Sequence, residues 1–180
     1  MASKIKVDQI QTADGSGTIA LQNQLSGMTT ASLPALGSAQ MPTGSVLQVV
    51  SSTYSSAVQI NSTSFQGTGL SATITPSSTS SKIAVMITAS VGGDGGDGSY
   101  LYGGAFRDAT QLIQVAFQRD RPATSFGANS SVCAITYLDS PSSTSAITYR
   151  LKGKATTSVH EFRMNYVSGQ SMITLMEIAG

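Results

Sequence analysis

From Gly44 onward the chain repeats short apolar runs that are separated by turns rich in Gly, Pro, Ser and Thr. Roughly nine or ten runs recur about a dozen residues apart, a spacing that predicts an all-β sandwich or jelly roll. Helical spacing of apolar residues is almost absent, since the best candidate, residues 33–41, is short and interrupted by Pro34 and Gly37. We therefore expect a jelly-roll-like antiparallel β-sandwich head at residues 45–180.

Alternating apolar and polar residues predict the individual strands. The run 82–90 is the most apolar, and we expect it to be a central strand buried on both faces. The segment Phe106-Arg107-Asp108-Ala109-Thr110-Gln111 predicts a hairpin tip, because polar residues interrupt two apolar runs. The predicted strands are residues 46–50, 70–75, 82–90, 100–106, 111–117, 132–138, 146–151, 161–167 and 172–178.

The segment 1–44 has a different character, with many Gln, Ser, Thr and Gly residues and too few large apolar residues to fold alone. Ile5 and Val7 alternate with polar residues, and Ile10 follows. We expect an extended N-terminal attachment arm that orders on a partner or between identical subunits, with Ile5, Val7 and Ile10 as its contacts. A disordered tail is the alternative.

Charged residues are scarce, at 11% of the chain, and the formal net charge is +1. The basic stretches Arg119 with Arg121 and Arg150-Lys152-Lys154 are short and typical of solvated strand faces, so we expect no nucleic-acid partner. No apolar stretch approaches the roughly 20 residues of a membrane span, and the start lacks a signal-peptide core. We expect a soluble protein that is synthesised in a cytoplasm without a signal peptide.

Groups that carry catalysis or bind metals are sparse in this sequence. His160 is the single histidine, without a nucleophile motif, and is most simply a strand residue with a polar partner. Cys133 is the single cysteine and has apolar neighbours, so we expect a small buried side chain rather than a reactive thiol. We expect no enzymatic activity, no catalytic residues, no cofactor and no metal site.

The glycine-rich stretch 92–98 is the most distinctive loop candidate, since it holds Asp94 and Asp97 and leads into Tyr100 and Tyr102. One interpretation is a flexible turn. A second is a weak calcium loop, which the single copy of the Gly-Gly-x-Gly-x-Asp pattern leaves open. A third is an exposed binding tip whose tyrosines stack on sugars or on a protein surface.

Six stretches together resemble small tail-fibre-like and virion structural proteins of tailed bacteriophages, especially phages of aquatic bacteria. The resemblance covers most of the chain, and its motifs mark turns and strands rather than chemistry. The stretches are SKIKVDQIQT at 3–12, QLSGMT at 24–29, MPTGSVLQ at 41–48, FRD at 106–108, YLDSPSSTSAITY at 137–149 and TLMEI at 174–178.

The resemblance implies a non-enzymatic virion component whose N-terminal arm binds other virion proteins and whose head is a homotrimer, in a short tail fibre or spike. Low charge favours self-association independently, because neutral Ser/Thr-rich faces pack with little desolvation cost. The alternatives are a capsid decoration protein and a carbohydrate-binding adhesin that contacts a host surface glycan or protein. A depolymerase with carboxylates shared between subunits is a further alternative.

Overall fold

The computed structural model describes residues 37, 40–94, 100–118, 129–157, 159–166 and 169–180, which form ten strands and no α-helix. All pairings between the strands are antiparallel. The strands are β1 (Val46–Tyr54), β2 (Val58–Ile60), β3 (Gln66–Ile74), β4 (Lys82–Asp94), β5 (Tyr100–Arg107), β6 (Thr110–Gln118), β7 (Asn129–Asp139), β8 (Ile147–Ala155), β9 (Glu161–Met164) and β10 (Ser171–Ile178).

The strands form two sheets with jelly-roll topology. Sheet A has the order β1-β10-β4-β9-β2, with β7 on the other side of β4, and sheet B has the order β3-β8-β5-β6. Without the short strands β2 and β9, eight strands remain, and in chain order their sheets read 1-8-3-6 and 2-7-4-5. This is the arrangement of two Greek keys in a jelly roll, so the predicted fold class is confirmed.

Each predicted run coincides with a strand, and the predicted hairpin tip is confirmed at Asp108, whose φ is 50°. The short strand β2 was not predicted. Strand β9 ends earlier than expected, because Asn165 has a φ of 56° and its side-chain amide donates to the Tyr54 carbonyl at 2.8 Å. Strand β4 is central, as predicted, since it pairs with β10, β7 and β9.

The prediction that β4 is buried on both faces is wrong. Its inward side chains, such as Ile83, Val85 and Ile87, are buried in the core between the sheets. Its outward side chains are not, and Met86 is 41% exposed. Within one chain, sheet B covers only one face of sheet A, and no described element covers the other.

One buried ionic group connects the two sheets. The Arg107 guanidinium on β5 contacts both carboxylate oxygens of Asp139 on β7, at 3.0 and 2.9 Å. The fully buried Tyr149 on β8 donates its hydroxyl to the same carboxylate at 2.6 Å. Burial and the Asp139 carboxylate raise the pKa of Tyr149, so the phenol stays protonated and donates.

A second buried carboxylate, Glu177 on β10, is held by neutral donors. It accepts hydrogen bonds from the Gln48 side chain at 2.6 Å, from the Ser77 amide and hydroxyl at 2.7 Å each, and from the Ser81 hydroxyl at 2.7 Å. Burial raises its pKa, but these hydrogen bonds outweigh burial and leave the pKa below the ordinary glutamate value. Glu177 therefore fixes the β3–β4 connection against the end of sheet A.

The described compact unit spans Gly37–Gly180. At the predicted boundary, the Gly44 amide donates to the Ala179 carbonyl and the Ala179 amide donates to the Ser45 carbonyl, both at 2.8 Å. Ile5, Val7 and Ile10 lie outside the described residues. The division into an arm at 1–44 and a head at 45–180 therefore stays a prediction.

Candidate functional site: two outer sheet faces

A two-layer sandwich buries one face of each sheet and leaves the other facing outward. Successive side chains of a strand point to opposite faces, and directly paired residues share a face. The register of the strands and their burial therefore identify the outward side chains. We call the outward side chains of β1, β10, β4 and β7 the sheet A face, and those of β3, β8, β5 and β6 the sheet B face.

An apolar row crosses the sheet A face from one edge to the other. Val49 on β1 lies opposite Met176 on β10, Met176 lies opposite Ala84 on β4, and Ala84 lies opposite Leu138 on β7. Val49 and Leu138, at the two ends of the row, are 55% and 54% exposed. Such a row has the composition of a buried layer, but no described element of the chain covers it, and its two middle residues are only partly buried.

The remaining outward positions continue this neutral character. Lys82 is the only charged residue among the described outward side chains of these four strands. These further positions are Val46, Ser51, Thr53, Lys82, Met86, Thr88, Ser90, Val132, Ala134, Thr136, Met172, Thr174 and Ile178.

The sheet A face is large enough to be an interaction surface. Four strands about 4.8 Å apart, each contributing about seven residues of 3.3 Å, cover roughly 400 Å² in projection. The largest contiguous apolar patch on a typical monomer covers about 300–600 Å² and is often functional, so the size of the sheet A face is compatible with an interaction site. Val132, at 66% exposure, extends the surface along the β7 edge.

The sheet B face has the opposite chemistry. Arg150, Lys152 and Lys154 occupy alternate positions of β8 and form a row of half-exposed cations, which we call the cation row. Across the sheet they lie opposite Phe106, Gly104 and Tyr102 of β5, respectively. The prediction that these basic residues form a solvated strand face is confirmed.

Aromatic rings hold two of these cations in place. Lys152 Nζ lies 4.3 Å from the ring centroid of Phe106, and Lys154 Nζ lies 4.6 Å from that of Phe65 and 5.1 Å from that of Tyr102. We call Phe65, Tyr102 and Phe106 the aromatic cluster. These distances are those of cation–π interactions, which fix an ammonium group without neutralising its charge.

The aromatic cluster depends on a glycine beneath it. The rings of Phe65 and Phe106 pack edge to face, with centroids 5.1 Å apart at 67°. A Cβ at Gly104 would lie 2.9 Å from the Phe106 ring and 3.1 Å from that of Phe65. A larger residue there would displace both rings, so the glycine permits this close approach.

No described carboxylate neutralises the cation row. The salt bridges in the described part of the chain join Arg107 to Asp139 at 2.9 Å and Arg163 to Glu161 at 2.7 Å. Six Lys and Arg residues lie in the described ranges, and three of them form this row. The sheet B face therefore concentrates unpaired positive charge in a chain that has little charge.

The predicted tip residues have different fates in the structure. Tyr100 is 40% exposed and Tyr102 half-buried on the sheet B face, with their ring centroids 6.5 Å apart. Asp94 ends β4 but its side chain lies outside the described residues, as does all of Asp97, so the calcium interpretation stays untested. The flexible-turn interpretation is wrong for Gly93, which lies in β4, where a Cβ would meet the Glu161 carbonyl oxygen at 2.5 Å.

The remaining candidates have structural positions. Cys133 is buried, as predicted, and burial raises the pKa of its thiol to about 11. His160 lies in a turn directly before β9, with its amide 3.3 Å from the Thr157 carbonyl, rather than in a strand as expected. Within the described ranges, no three His, Cys, Asp or Glu side chains cluster as metal ligands.

A cavity of about 310 Å³ lies at the end of the sandwich where β1 begins and β10 ends. The side chains that line it are neutral, namely those of Met41, Leu47, Ser77, Ser78, Ser80, Ser81 and Ala179, and Gly180 completes the wall. This lining offers no acid–base pair. Over the described ranges, no helix is long and apolar enough to cross a membrane.

Comparisons with known proteins add little to this geometry. No protein-family model matches the chain, and no curated protein matches it. One similar solved structure is the crystal structure of the infectious bursal disease virus VP2 subviral particle, with 15% sequence identity and a TM-score of 0.34. The match covers 74% of this chain and 38% of that one, and at this similarity it carries no argument about function.

Proposed function

We propose that this protein is a virion structural subunit, a jelly-roll head that assembles with copies of itself through the sheet A face. The observation that carries the proposal is the uncharged apolar row from Val49 to Leu138. The jelly roll is a common architecture of viral shell proteins, and this supports the virion setting. By the resemblance to tail-fibre-like proteins, the assembly is a homotrimeric short fibre or spike that is attached through residues 1–44.

A second copy of the chain is the occupant that fits the sheet A face best. Among the described outward side chains of the face, Lys82 at the margin carries the only formal charge, so two copies meet with little of the like-charge repulsion that separates charged surfaces. A patch of roughly 400 Å² in projection is about half of the roughly 800 Å² of accessible surface that each partner contributes to a standard interface, and the protruding side chains add to it. Hydroxyl pairs such as Ser51 with Thr174, 3.3 Å apart, are satisfied within the sheet and enter an interface at low desolvation cost.

The mass of the full chain in solution tests the self-assembly. Size exclusion with light scattering should give about three times the chain mass of 18.5 kDa. A dimer would keep the face as the interface and overturn the trimeric fibre. A monomer at high concentration would overturn self-assembly through this face.

The virion setting needs its own measurement. Immunogold labelling should place the protein on purified particles, and a variant without residues 1–40 should remain folded but be absent from them. Labelling at the tail would support the fibre or spike, and labelling over the shell would support capsid decoration. Unlabelled particles would overturn the virion assignment, and incorporation of the truncated chain would overturn the role of the arm.

A further inference from the structure

We infer that the sheet B face binds an acidic polysaccharide, with the cation row as the contact for its anionic groups. The inference takes its biological setting from the proposed function, as a surface that a virion component presents outward. Its physical basis is separate, because the sheet B face lies on the opposite side of the sandwich from the sheet A face. Three features of the face carry it: unpaired charge, fixed geometry and one open aromatic ring.

The charge comes first. Arg150, Lys152 and Lys154 are alternate residues of one strand, so their backbone positions are separated by about 6.6 Å. Like charges at this spacing repel each other, and no described carboxylate offsets them. An anionic polymer along β8 would relieve this repulsion.

The fixed geometry follows from the aromatic cluster. Lys152 and Lys154 are held over rings at 4.3 to 5.1 Å, whereas free surface lysines lose side-chain entropy when a ligand immobilises them. Lys152 contacts one ring and Lys154 contacts two, so each ammonium group, with three N–H donors, keeps at least one for a carboxylate or sulfate. Pre-organised cations of this kind lower the entropic cost of binding.

The class of ligand follows from which aromatic rings on this face are left uncovered by the lysines. Single-stranded nucleic acids bind where successive bases stack on uncovered aromatic faces. Here the lysines lie over Phe65, Tyr102 and Phe106, and Tyr100 is the exposed ring next to them. One open phenol beside a line of cations suits a sugar chain with acidic groups better than a run of bases.

The binding test uses the full chain and four immobilised polymers: polygalacturonate, dextran sulfate, unmodified dextran and single-stranded oligothymidylate. We expect binding to polygalacturonate or dextran sulfate, and none to unmodified dextran. Polygalacturonate alone would identify carboxylates as the recognised groups, and dextran sulfate alone would identify sulfates. No binding to either, or tighter binding to oligothymidylate than to both, would overturn the inference.

Two variants locate the site. The triple variant Arg150→Gln/Lys152→Gln/Lys154→Gln should weaken binding at least about 100-fold, since each charge-assisted contact contributes about a factor of ten. Lys82→Gln, which removes a cation from the sheet A face, should leave affinity unchanged. Equal losses of binding free energy per removed charge in the two variants would mean non-specific attraction by net charge and would overturn the site.

The open ring has its own test. Tyr100→Ala should lower the affinity for polygalacturonate several-fold, and Tyr100→Phe should retain it, because the ring face rather than the hydroxyl makes the contact. Thermal unfolding of each variant separates lost binding from lost fold. Light scattering on the same samples separates this inference from the proposed function. A monomer that still binds polysaccharide would overturn only the proposed assembly. An assembled protein that does not bind would overturn only this inference.

Discussion

The two outer faces of this sandwich follow the same alternation rule and reach opposite chemistry. On the sheet A face, the described outward positions hold Val, Ile, Met, Leu, Ala, Ser and Thr, and a single lysine lies at the margin. On the sheet B face, alternate positions of β8 hold three cations beside aromatic rings. The first face suits association driven by water release, which needs close contact, and the second suits attraction that acts at a distance.

A charge at the centre of the sheet A face should have the largest effect. Met86 lies on the central strand β4 and is 41% exposed, so Met86→Glu should fold in the isolated chain. In an assembly, the carboxylate would be buried without a partner, at about 3–5 kcal/mol, or roughly 100-fold to several thousand-fold in the dissociation constant. Light scattering over a dilution series measures this.

Two control variants define the comparison. Met86→Leu keeps an apolar side chain and should assemble like the wild type. Thr73→Glu places the same charge on the sheet B face and should leave the mass unchanged. An assembled Met86→Glu variant would mean that copies associate elsewhere, and a dissociated Thr73→Glu variant would mean that the two faces do not have separate roles.

A substitution in the core between the sheets tests whether the two faces act independently. Tyr149→Phe removes the hydroxyl that donates to Asp139 at 2.6 Å while it keeps the ring volume. Loss of a hydrogen bond to a buried carboxylate should lower the free energy of unfolding by about 1.5–3 kcal/mol. Denaturant unfolding measures the loss, whereas the assembled mass and polysaccharide affinity of the folded variant should stay at wild-type values. A shift in either would mean that the core transmits changes to that face.

Acid should act on the fold before it acts on either face. Glu177 has a pKa below its unfolded value, so its ionised form stabilises the folded state at pH above the unfolded pKa of about 4.3, and this stability is lost as the pH falls through the lower folded pKa. The unfolding temperature should therefore decrease as the pH drops below about 4.5, and this decrease should be less steep in Glu177→Gln.

The outcome for Glu177→Gln separates two explanations of acid sensitivity. Near pH 7 the variant should be less stable by about 1–3 kcal/mol. Its amide NH₂ group would replace a carboxylate oxygen that accepts hydrogen bonds, and it would face donor groups that it cannot pair with. Equal pH slopes in the variant and the wild type would assign acid sensitivity to other carboxylates. No described side chain of the sheet A face titrates in mild acid, so an assembled mass that falls there, before unfolding begins, would contradict the assignment of this face as the interface.

Much of the fold could be predicted from local pattern, because strands separated by turns leave a period-two signal. The sandwich, the hairpin tip at Asp108 and the central place of β4 all follow from it. The short strand β2 does not, since three residues are too few to show a period.

The candidate faces were harder to predict, because a face is assembled from distant strands. The run at β4 predicted burial on both faces, and the structure leaves Ala84 partly exposed and Met86 exposed. In the proposed assembly, a second copy of the chain would bury these outward apolar residues of β4. For the sheet B face, Phe65 and Lys154 are far apart in sequence and meet only through strand register, which composition does not encode.

Salt gives the smallest expected effect on assembly, and it tests the whole comparison in one titration. A neutral apolar contact has few counterions to release, so raising the salt from about 0.05 M to about 0.2 M should change its dissociation constant by less than about twofold. Polysaccharide binding through three cations should weaken by more than about tenfold over the same range, by analogy with counterion release from charged polymers. If self-assembly and polysaccharide binding both depend strongly on salt, the assembly is electrostatic, which would contradict an interface made of the neutral sheet A face. Weak dependence of both would mean that the cation row does not make the contacts, because three unpaired charges cannot bind a polyanion without releasing its counterions.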